Sequence, residues 1–159
     1  MTKLSSAIQI NAPKERVWAV LADLGAASAW NPTVTHSSYT SDGREGVGAS
    51  RRCDLPDGSF VEERVTAWTP GEAFTLNVYE GAIPFENGFG TYELRGVGSE
   101  TIVNFTLEFD PKADGPMTPE EVERLFTEEV IPAMLSGLKH YVETGQPLPV
   151  PPATEVAIE

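Results

Sequence analysis

The segment TPEEVERLFTEEVIPAMLSGLKHYVETG, residues 118–145, contains the strongest helix signal in the sequence. Thr118, followed three residues later by Glu121, is typical of a capping box, and Gly145 is typical of the end of a helix. Between them, apolar residues recur at steps of three and four, which predicts a long helix with a wide apolar face. Pro132 lies inside this helix and is expected to kink it. Such a helix needs a large apolar surface to pack against.

The composition favours one globular domain that does not bind nucleic acid. The chain has 159 residues, of which 40% are hydrophobic, and this is enough to bury a core. Its net charge of −13 argues against nucleic-acid partners and against anionic membrane surfaces. The sequence has no signal-peptide core and no apolar run of transmembrane length, so we expect no membrane insertion. Cys53 is the only cysteine, which excludes an internal disulfide and favours a cytoplasmic location.

The chain before the long helix has two patterns. Residues 4–10 alternate between polar and apolar, which predicts a strand. We then expect a helix capped by Asn11 and a second, short helix that ends at Trp30. Alternation with period two follows, and turns rich in Gly, Pro and Asp divide it into six further strands. These strands are expected near residues 33–40, 46–55, 59–68, 73–80, 87–96 and 101–110.

This order of elements predicts an α+β architecture. The links between the six strands are too short for a crossover, so the sheet must be antiparallel. A sheet of seven strands and one long apolar helix bury their apolar faces against each other if the sheet curls around the helix. The two early helices then close one end. Such an arrangement often leaves a cavity between the concave face and the helix. We expect one domain over residues 1–145 and a Pro-rich C-terminal tail over residues 146–159.

Five short segments carry a resemblance to a known family: INAPKERVW at 10–18, WNP at 30–32, GVGASRR at 46–52, LPDGSFVEERV at 55–65 and GLKHYV at 137–142. They resemble the START-like (SRPBCC) superfamily, which includes polyketide cyclase/dehydrase-like proteins and the birch-pollen allergens. The later segments are similar to its bacterial branch. The resemblance implies the helix-grip fold, a seven-stranded curved antiparallel sheet wrapped around a long C-terminal helix. It also implies a hydrophobic pocket, because members bind lipids, polyketides, quinones or plant hormones.

The hairpin around residues 56–58 allows the strand register to be predicted. Pro-Asp-Gly is typical of a three-residue loop in which Gly58 is left-handed. This register places Arg51 opposite Glu63 on one face, whereas a two-residue loop would mix apolar and charged residues on both faces. Arg51 and Glu63 are therefore expected to face each other on the concave side. The apolar residues expected on the same face are Ala49, Cys53, Val61, Val65 and Ala67.

Two roles for the Arg51–Glu63 pair remain open. The pair can be a cross-strand salt bridge that fixes the register. It can also be a polar anchor in an apolar pocket, where Arg51 holds a carboxylate, enolate or phenolate oxygen. In that case Glu63 orients Arg51 or acts as a base, and both are hypothetical catalytic residues.

Further ligand-binding candidates come from the apolar faces of the strands and the long helix. Tyr92 shares its face with Gly88 and Gly90, where missing side chains leave room for a ligand, although the glycines can instead mark bends in the sheet. The resemblance puts Trp30 near the cavity mouth, with core packing as the alternative. The ligand-binding candidates besides Arg51 and Glu63 are Trp30, Leu76, Val78, Tyr92, Phe105, Met134 and Leu138.

Three functions are compatible with these observations. The resemblance implies a protein that binds a small hydrophobic or aromatic molecule, with or without polyketide cyclase, aromatase or dehydrase-like activity. A non-catalytic carrier of a lipid, quinone or natural product is the first alternative, and a protein-interaction adaptor of the chaperone-activator type is the second. Neither metal-ligand clusters nor phosphate-binding glycine loops are found, so no cofactor is expected. The sequence leaves the oligomeric state open.

Overall fold

Seven strands form one antiparallel sheet in a computed structural model that describes residues 1–148. The order across the sheet is β1-β7-β6-β5-β4-β3-β2, so the first strand pairs with the last. Of the predicted C-terminal tail, residues 149–159 lie outside the described residues. The strands are β1 (Thr2–Ile10), β2 (His36–Tyr39), β3 (Ser50–Asp54), β4 (Phe60–Thr69), β5 (Ala73–Gly81), β6 (Phe85–Val97) and β7 (Glu100–Pro111).

The concave face of this sheet packs on the C-terminal helix, as predicted. Inward-facing residues of β5, β6 and β7 alternate with exposed or half-buried ones, and they share a core with the helix. This alternation follows from the period of two in a strand. The curved antiparallel sheet, the long C-terminal helix and the short helices after β1 confirm the predicted helix-grip fold. Core residues from the two layers include Phe74, Leu76, Leu94, Val103, Leu107, Ile131, Leu135 and Val142.

The C-terminal helix is continuous but changes geometry in its middle. It consists of α3 (Pro119–Leu125), a π-helical turn (Phe126–Val130) and α4 (Ile131–Thr144). The predicted capping box of Thr118 is present, and the helix ends at Gly145 with φ at 78°. The kink expected at Pro132 takes the form of this wide turn just before it. Proline has no N–H and its ring crowds the preceding turn, so a wider turn accommodates it.

Three short helical segments follow β1: α1 (Lys14–Ala22), a 3₁₀ turn (Leu24–Ala26) and α2 (Ala27–Trp30). The predicted cap at Asn11 is wrong, because Pro13 occupies the N-cap position and α1 starts after it. The backbone N–H of Asn11 instead donates to a carboxylate oxygen of Glu143 at 2.7 Å, which ties β1 to the end of α4. Among residues 1–148, no helix is both long and apolar enough to cross a membrane.

Aromatic side chains of α1, β4 and β5 form a cluster packed on the core. Trp18 on α1 contacts Trp68 and Phe74 edge-on, with ring centroids 5.1 and 5.7 Å apart. Trp68 points inward because β4 has a bulge between Val65 and Ala67, which reverses the alternation. The prediction that Ala67 lies on the inner face is therefore wrong, and Ala67 is exposed.

Candidate ligand-binding cavity

A cavity of about 840 Å³ lies between the concave face of the sheet and the first half of the C-terminal helix. Its rim is formed by the β3–β4 hairpin, the β5–β6 turn and the connection from β7 to α3. Phe74 of the aromatic cluster lies outside the cavity and stacks on Tyr92, which lines it. The volume falls within the range of small-molecule sites. Its apolar wall includes Val61, Leu76, Val78, Phe105, Leu107 and Met134.

Arg51 and Glu63 lie deep in this cavity, on adjacent strands. The predicted register is confirmed, because Arg51 pairs directly with Glu63 and Gly58 has a φ of 89° in the connecting loop. The Nε–H of Arg51 donates to Oε1 of Glu63 at 2.8 Å. The side chain of Arg51 is 5% exposed and that of Glu63 is 18% exposed. A charge this deeply buried is tolerable only with a close partner, which the carboxylate supplies.

The guanidinium group of Arg51 has a second, weaker partner. Nη1 donates to the carbonyl oxygen of Leu24 at 3.3 Å, which links the floor of the cavity to the 3₁₀ turn. Nη2 makes no hydrogen bond of good geometry within residues 1–148, and the Tyr92 hydroxyl lies near enough to the guanidinium group to interact with it. Burial alone lowers the pKa of Arg51, but the negative charge of Glu63 and the hydrogen bond to it raise the pKa above its ordinary value. Arg51 is therefore a permanent cation with unused N–H donors.

Tyr92 and Cys53 complete the floor as neutral groups. The ring of Tyr92 stacks on Phe74 with centroids 5.2 Å apart. Burial raises the pKa of the Tyr92 phenol, and the positive charge of Arg51 opposes this shift only in part. Burial also raises the pKa of the Cys53 thiol, to about 11. Both therefore stay protonated at neutral pH, and the charges at this end of the cavity are those of Arg51 and Glu63.

Seven of the nine ligand-binding candidates line the cavity: Arg51, Glu63, Leu76, Val78, Tyr92, Phe105 and Met134. The other two lie in the core behind it. Trp30 is 2% exposed and packs edge-on against Tyr92, so it supports the floor from the side away from the cavity. Leu138 is fully buried one helical turn beyond Met134, where the cavity has already ended.

Two of the glycines of β6, Gly88 and Gly90, have different surroundings. Gly90 lines the cavity, and a Cβ there would lie 3.1 Å from the ring of Phe105. A Cβ at Gly88 would lie 2.1 Å from the ring of Phe85, so that space is already filled. The register of β6 also shifts between Glu86 and Phe89. The missing side chain of Gly90 thus leaves space that belongs to the cavity. At Gly88 the strand is irregular, and the ring of Phe85 fills the space that a side chain would take.

Sequence reasoning missed the rim of the cavity, because rim residues lie in turns that have no periodic pattern. Lys112 donates from Nζ to the carbonyl oxygen of Ile83 at 3.1 Å and so bridges the end of β7 and the β5–β6 turn. Asn31 also lines the cavity, although its WNP segment carries only the family resemblance and does not indicate this position. Within residues 1–148, no group of three His, Cys, Asp or Glu side chains is arranged to hold a metal ion. Other rim residues are Pro56, Pro84 and Met117.

Solved structures of other proteins share this fold across nearly their whole length. The Zhui aromatase/cyclase from Streptomyces sp. R1128 is 19% identical, with a TM-score of 0.77 over 89% of this chain and 93% of that one. A START superfamily protein from Mycobacterium smegmatis is 18% identical, with a TM-score of 0.76 over 91% and 99%. Ara h 8.0201 is 14% identical, with a TM-score of 0.71 over 90% and 98%. At these identities the likeness shows the fold alone.

Sequence comparison identifies the family directly. Among curated protein sequences, none matches this chain significantly. The sequence profile of the family described as polyketide cyclase / dehydrase and lipid transport matches residues 1–143. The resemblance predicted from the short segments is therefore confirmed, and this chain belongs to the polyketide cyclase / dehydrase and lipid transport family.

Proposed function

We propose that this protein binds a small hydrophobic or aromatic molecule in the cavity between the sheet and the C-terminal helix. The observation that carries the proposal is the cavity itself, about 840 Å³ in volume, with mainly apolar walls and one buried ion pair. Apolar walls favour an apolar ligand, because its transfer from water is worth roughly 25 cal/mol per Å² of buried surface. A few polar groups among such walls commonly fix the orientation of a ligand.

The position of the ion pair supports this proposal over a purely structural role. A salt bridge that only fixes strand register gains little from burial, because desolvation offsets the attraction between the charges. Arg51 nevertheless lies at the floor of the cavity with N–H groups that the described residues leave unused. An oxygen atom of a ligand that accepts these N–H groups would satisfy them.

Native mass spectrometry of the purified protein, followed by solvent extraction, tests the proposal. We expect a bound molecule of a few hundred daltons near one per chain, or stabilisation of the protein by added aromatic compounds. Its chemical class would then show whether a reaction should be sought. A protein that is empty and gains no thermal stability from lipids, quinones or aromatic compounds would contradict the proposal.

Catalysis on the bound molecule is a second candidate, favoured by the grouping of Arg51, Glu63 and Tyr92 on the cavity floor. For a polyketide-like substrate, Glu63 would remove a proton from a carbon between two carbonyl groups, and Arg51 would stabilise the enolate oxygen. The enolate carbon would then attack another, more distant carbonyl carbon of the same substrate molecule to close a ring. Tyr92 would give its proton to the resulting alkoxide and regain one from Glu63. This route needs no oxidant or external group.

Turnover measurements separate the enzyme from the carrier. Glu63→Gln keeps the size of the side chain but removes the base. If the protein is an enzyme, this variant lowers the turnover rate by roughly two orders of magnitude or more while ligand binding persists. A carrier returns its ligand unchanged. The adaptor alternative gains no support, because the exposed large hydrophobic residues within residues 1–148 are Met1, Val47 and Val97, in three separate segments.

A further inference from the structure

The floor of the cavity has both a hydrogen-bond donor and a hydrogen-bond acceptor available. Nε of Arg51 is engaged with Oε1 of Glu63, and Nη1 with the carbonyl of Leu24. Nη2 of Arg51 and Oε2 of Glu63 make no hydrogen bond of good geometry within the described part of the chain, and neither is a fully buried atom without a partner. The Tyr92 hydroxyl is near enough to the guanidinium group to interact with it, so it is the neighbour that a ligand oxygen would meet there. Both residues line the cavity. A ligand group that fills this position meets a donor and an acceptor side by side.

The same floor is close to electrically neutral. The positive charge of Arg51 is already balanced by Glu63, 2.8 Å away. Tyr92 and Cys53 add no charge, because both remain protonated. An anionic ligand group at Arg51 would lie beside the Glu63 carboxylate in a poorly solvated site, where repulsion between like charges is strong. A neutral group with one acceptor oxygen and one hydroxyl hydrogen would satisfy Nη2 and Oε2 without this repulsion.

Resting on the function proposed above, we propose that the cavity floor selects a neutral hydroxyl-bearing group, such as a phenol or an enol, and that Glu63 is the specificity-determining residue that rejects carboxylates there. The hydroxyl donates to Oε2 of Glu63, and its oxygen accepts from Nη2 of Arg51. The apolar body of the ligand then extends along Leu76, Val78 and Leu107 toward the rim.

Three probes with the same ring system test this selection on the unmodified protein. 2-Naphthol carries the hydroxyl and is neutral at pH 7, because its ionisation resembles that of a phenol with a pKa of about 10. 2-Methoxynaphthalene keeps the oxygen acceptor but lacks the donor. 2-Naphthoate replaces the hydroxyl with an ionised carboxylate. Isothermal titration at pH 7 is expected to give at least about tenfold tighter binding for 2-naphthol than for either of the other two.

Two variants assign the selection to Glu63. Glu63→Gln removes the charge while keeping a group that can accept from Arg51, so the preference for 2-naphthol over 2-naphthoate is expected to fall at least about tenfold. Glu62→Gln removes the same charge from the next residue, whose carboxylate accepts from the Tyr79 hydroxyl at 3.0 Å and does not line the cavity. This control is expected to keep the preference of the unmodified protein.

The possible outcomes distinguish this inference from the proposed function. Tighter binding of 2-naphthol, lost in Glu63→Gln and kept in Glu62→Gln, supports it. Binding of 2-naphthoate at least as tight as that of 2-naphthol overturns the inference but leaves the proposed function intact. A preference that survives Glu63→Gln overturns the role of Glu63. If none of the three probes binds, the inference is overturned; the proposed function is contradicted as well only if the protein is also empty in native mass spectrometry and gains no thermal stability from lipids or quinones. The comparison of probes on the unmodified protein decides the question even if Glu63→Gln fails to fold.

Discussion

Arg51 and Glu63 are directly opposed on β3 and β4, with Nε of the arginine 2.8 Å from Oε1 of the glutamate, and both line a largely apolar cavity. Arg51 is the more buried of the two, with 5% of its side chain exposed against 18% for Glu63. The pair therefore has a structural consequence, because each buried charge depends on the other. It also has a chemical one, because both residues line the same cavity.

The first prediction concerns the stability supplied by this pair. Glu63→Ala leaves Arg51 as an unpaired buried cation, so the free energy of unfolding should fall by about 3 kcal/mol. Glu62→Ala removes a neighbouring carboxylate that does not face the cavity and should cost less than about 1 kcal/mol. The double variant Arg51→Met, Glu63→Leu should regain most of the loss. Urea unfolding measures all three, and equal losses for the two alanine variants would refute a buried ion pair.

The second prediction concerns the reactivity of Cys53. Its thiol has a pKa raised to about 11 by burial, so the reactive thiolate is scarce at neutral pH and grows as the pH rises toward that value. Alkylation of the folded protein at pH 7.5 should be roughly two orders of magnitude slower than that of a free cysteine. Its rate should increase about tenfold per pH unit up to pH 10. Protein unfolded in urea serves as the control, and equal rates in both states would contradict the burial of Cys53.

The third prediction tests the contact between α2 and α4. A Cβ at Gly137 would lie 2.4 Å from both Cδ of Pro32 and the carbonyl oxygen of Trp30. Gly137→Ala should therefore destabilise the protein by about 2 kcal/mol, although alanine is the better helix former. Ser136→Ala, at the exposed neighbouring position, should change stability by less than about 0.5 kcal/mol. Thermal unfolding of the two variants provides the comparison, and a stabilised Gly137→Ala would show that the two helices do not approach closely.

The fourth prediction tests whether ligands enter the cavity. Val78 lines the cavity wall, and Val78→Phe should fill part of the space and weaken binding of 2-naphthol at least about tenfold. Because the added ring occupies existing space, the free energy of unfolding should change by less than about 1 kcal/mol. Val97→Phe places the same ring on an exposed position of β6 and should leave affinity unchanged. Equal affinity in both variants would place the binding site elsewhere.

Local rules were sufficient to predict the ion pair. The three-residue loop around Gly58 fixes the register of the hairpin, and only that register separates apolar from charged residues on the two faces. The partners of Arg51 and Glu63 followed from these two facts. The ends of the long helix were also predictable, because the capping signals at Thr118 and Gly145 act within a single turn.

Features that depend on distant contacts were not predictable. The bulge in β4 turns Trp68 inward and Ala67 outward, and the alternation in the sequence gives no sign of it. Trp30 and Leu138 are apolar and lie on the correct faces, but the cavity ends before it reaches them. Where the cavity ends is set by how neighbouring side chains fill the space, as Phe85 does at Gly88. The pattern of apolar and polar residues in the sequence does not predict how these side chains pack.

A titration of ¹⁵N-labelled protein with 2-naphthol, followed by two-dimensional NMR, tests whether the ligand binds inside the cavity. The side-chain Nε–H signal of Arg51 reports on the cavity floor, because that group is bound to Glu63. We predict saturable shifts of this signal and of backbone amides along β5, β6 and the π-helical turn. Unchanged signals for Arg51 and the cavity wall, or shifts confined to outward-facing residues such as Glu62 and Tyr79, would contradict the claim that the ligand binds between the sheet and the helix.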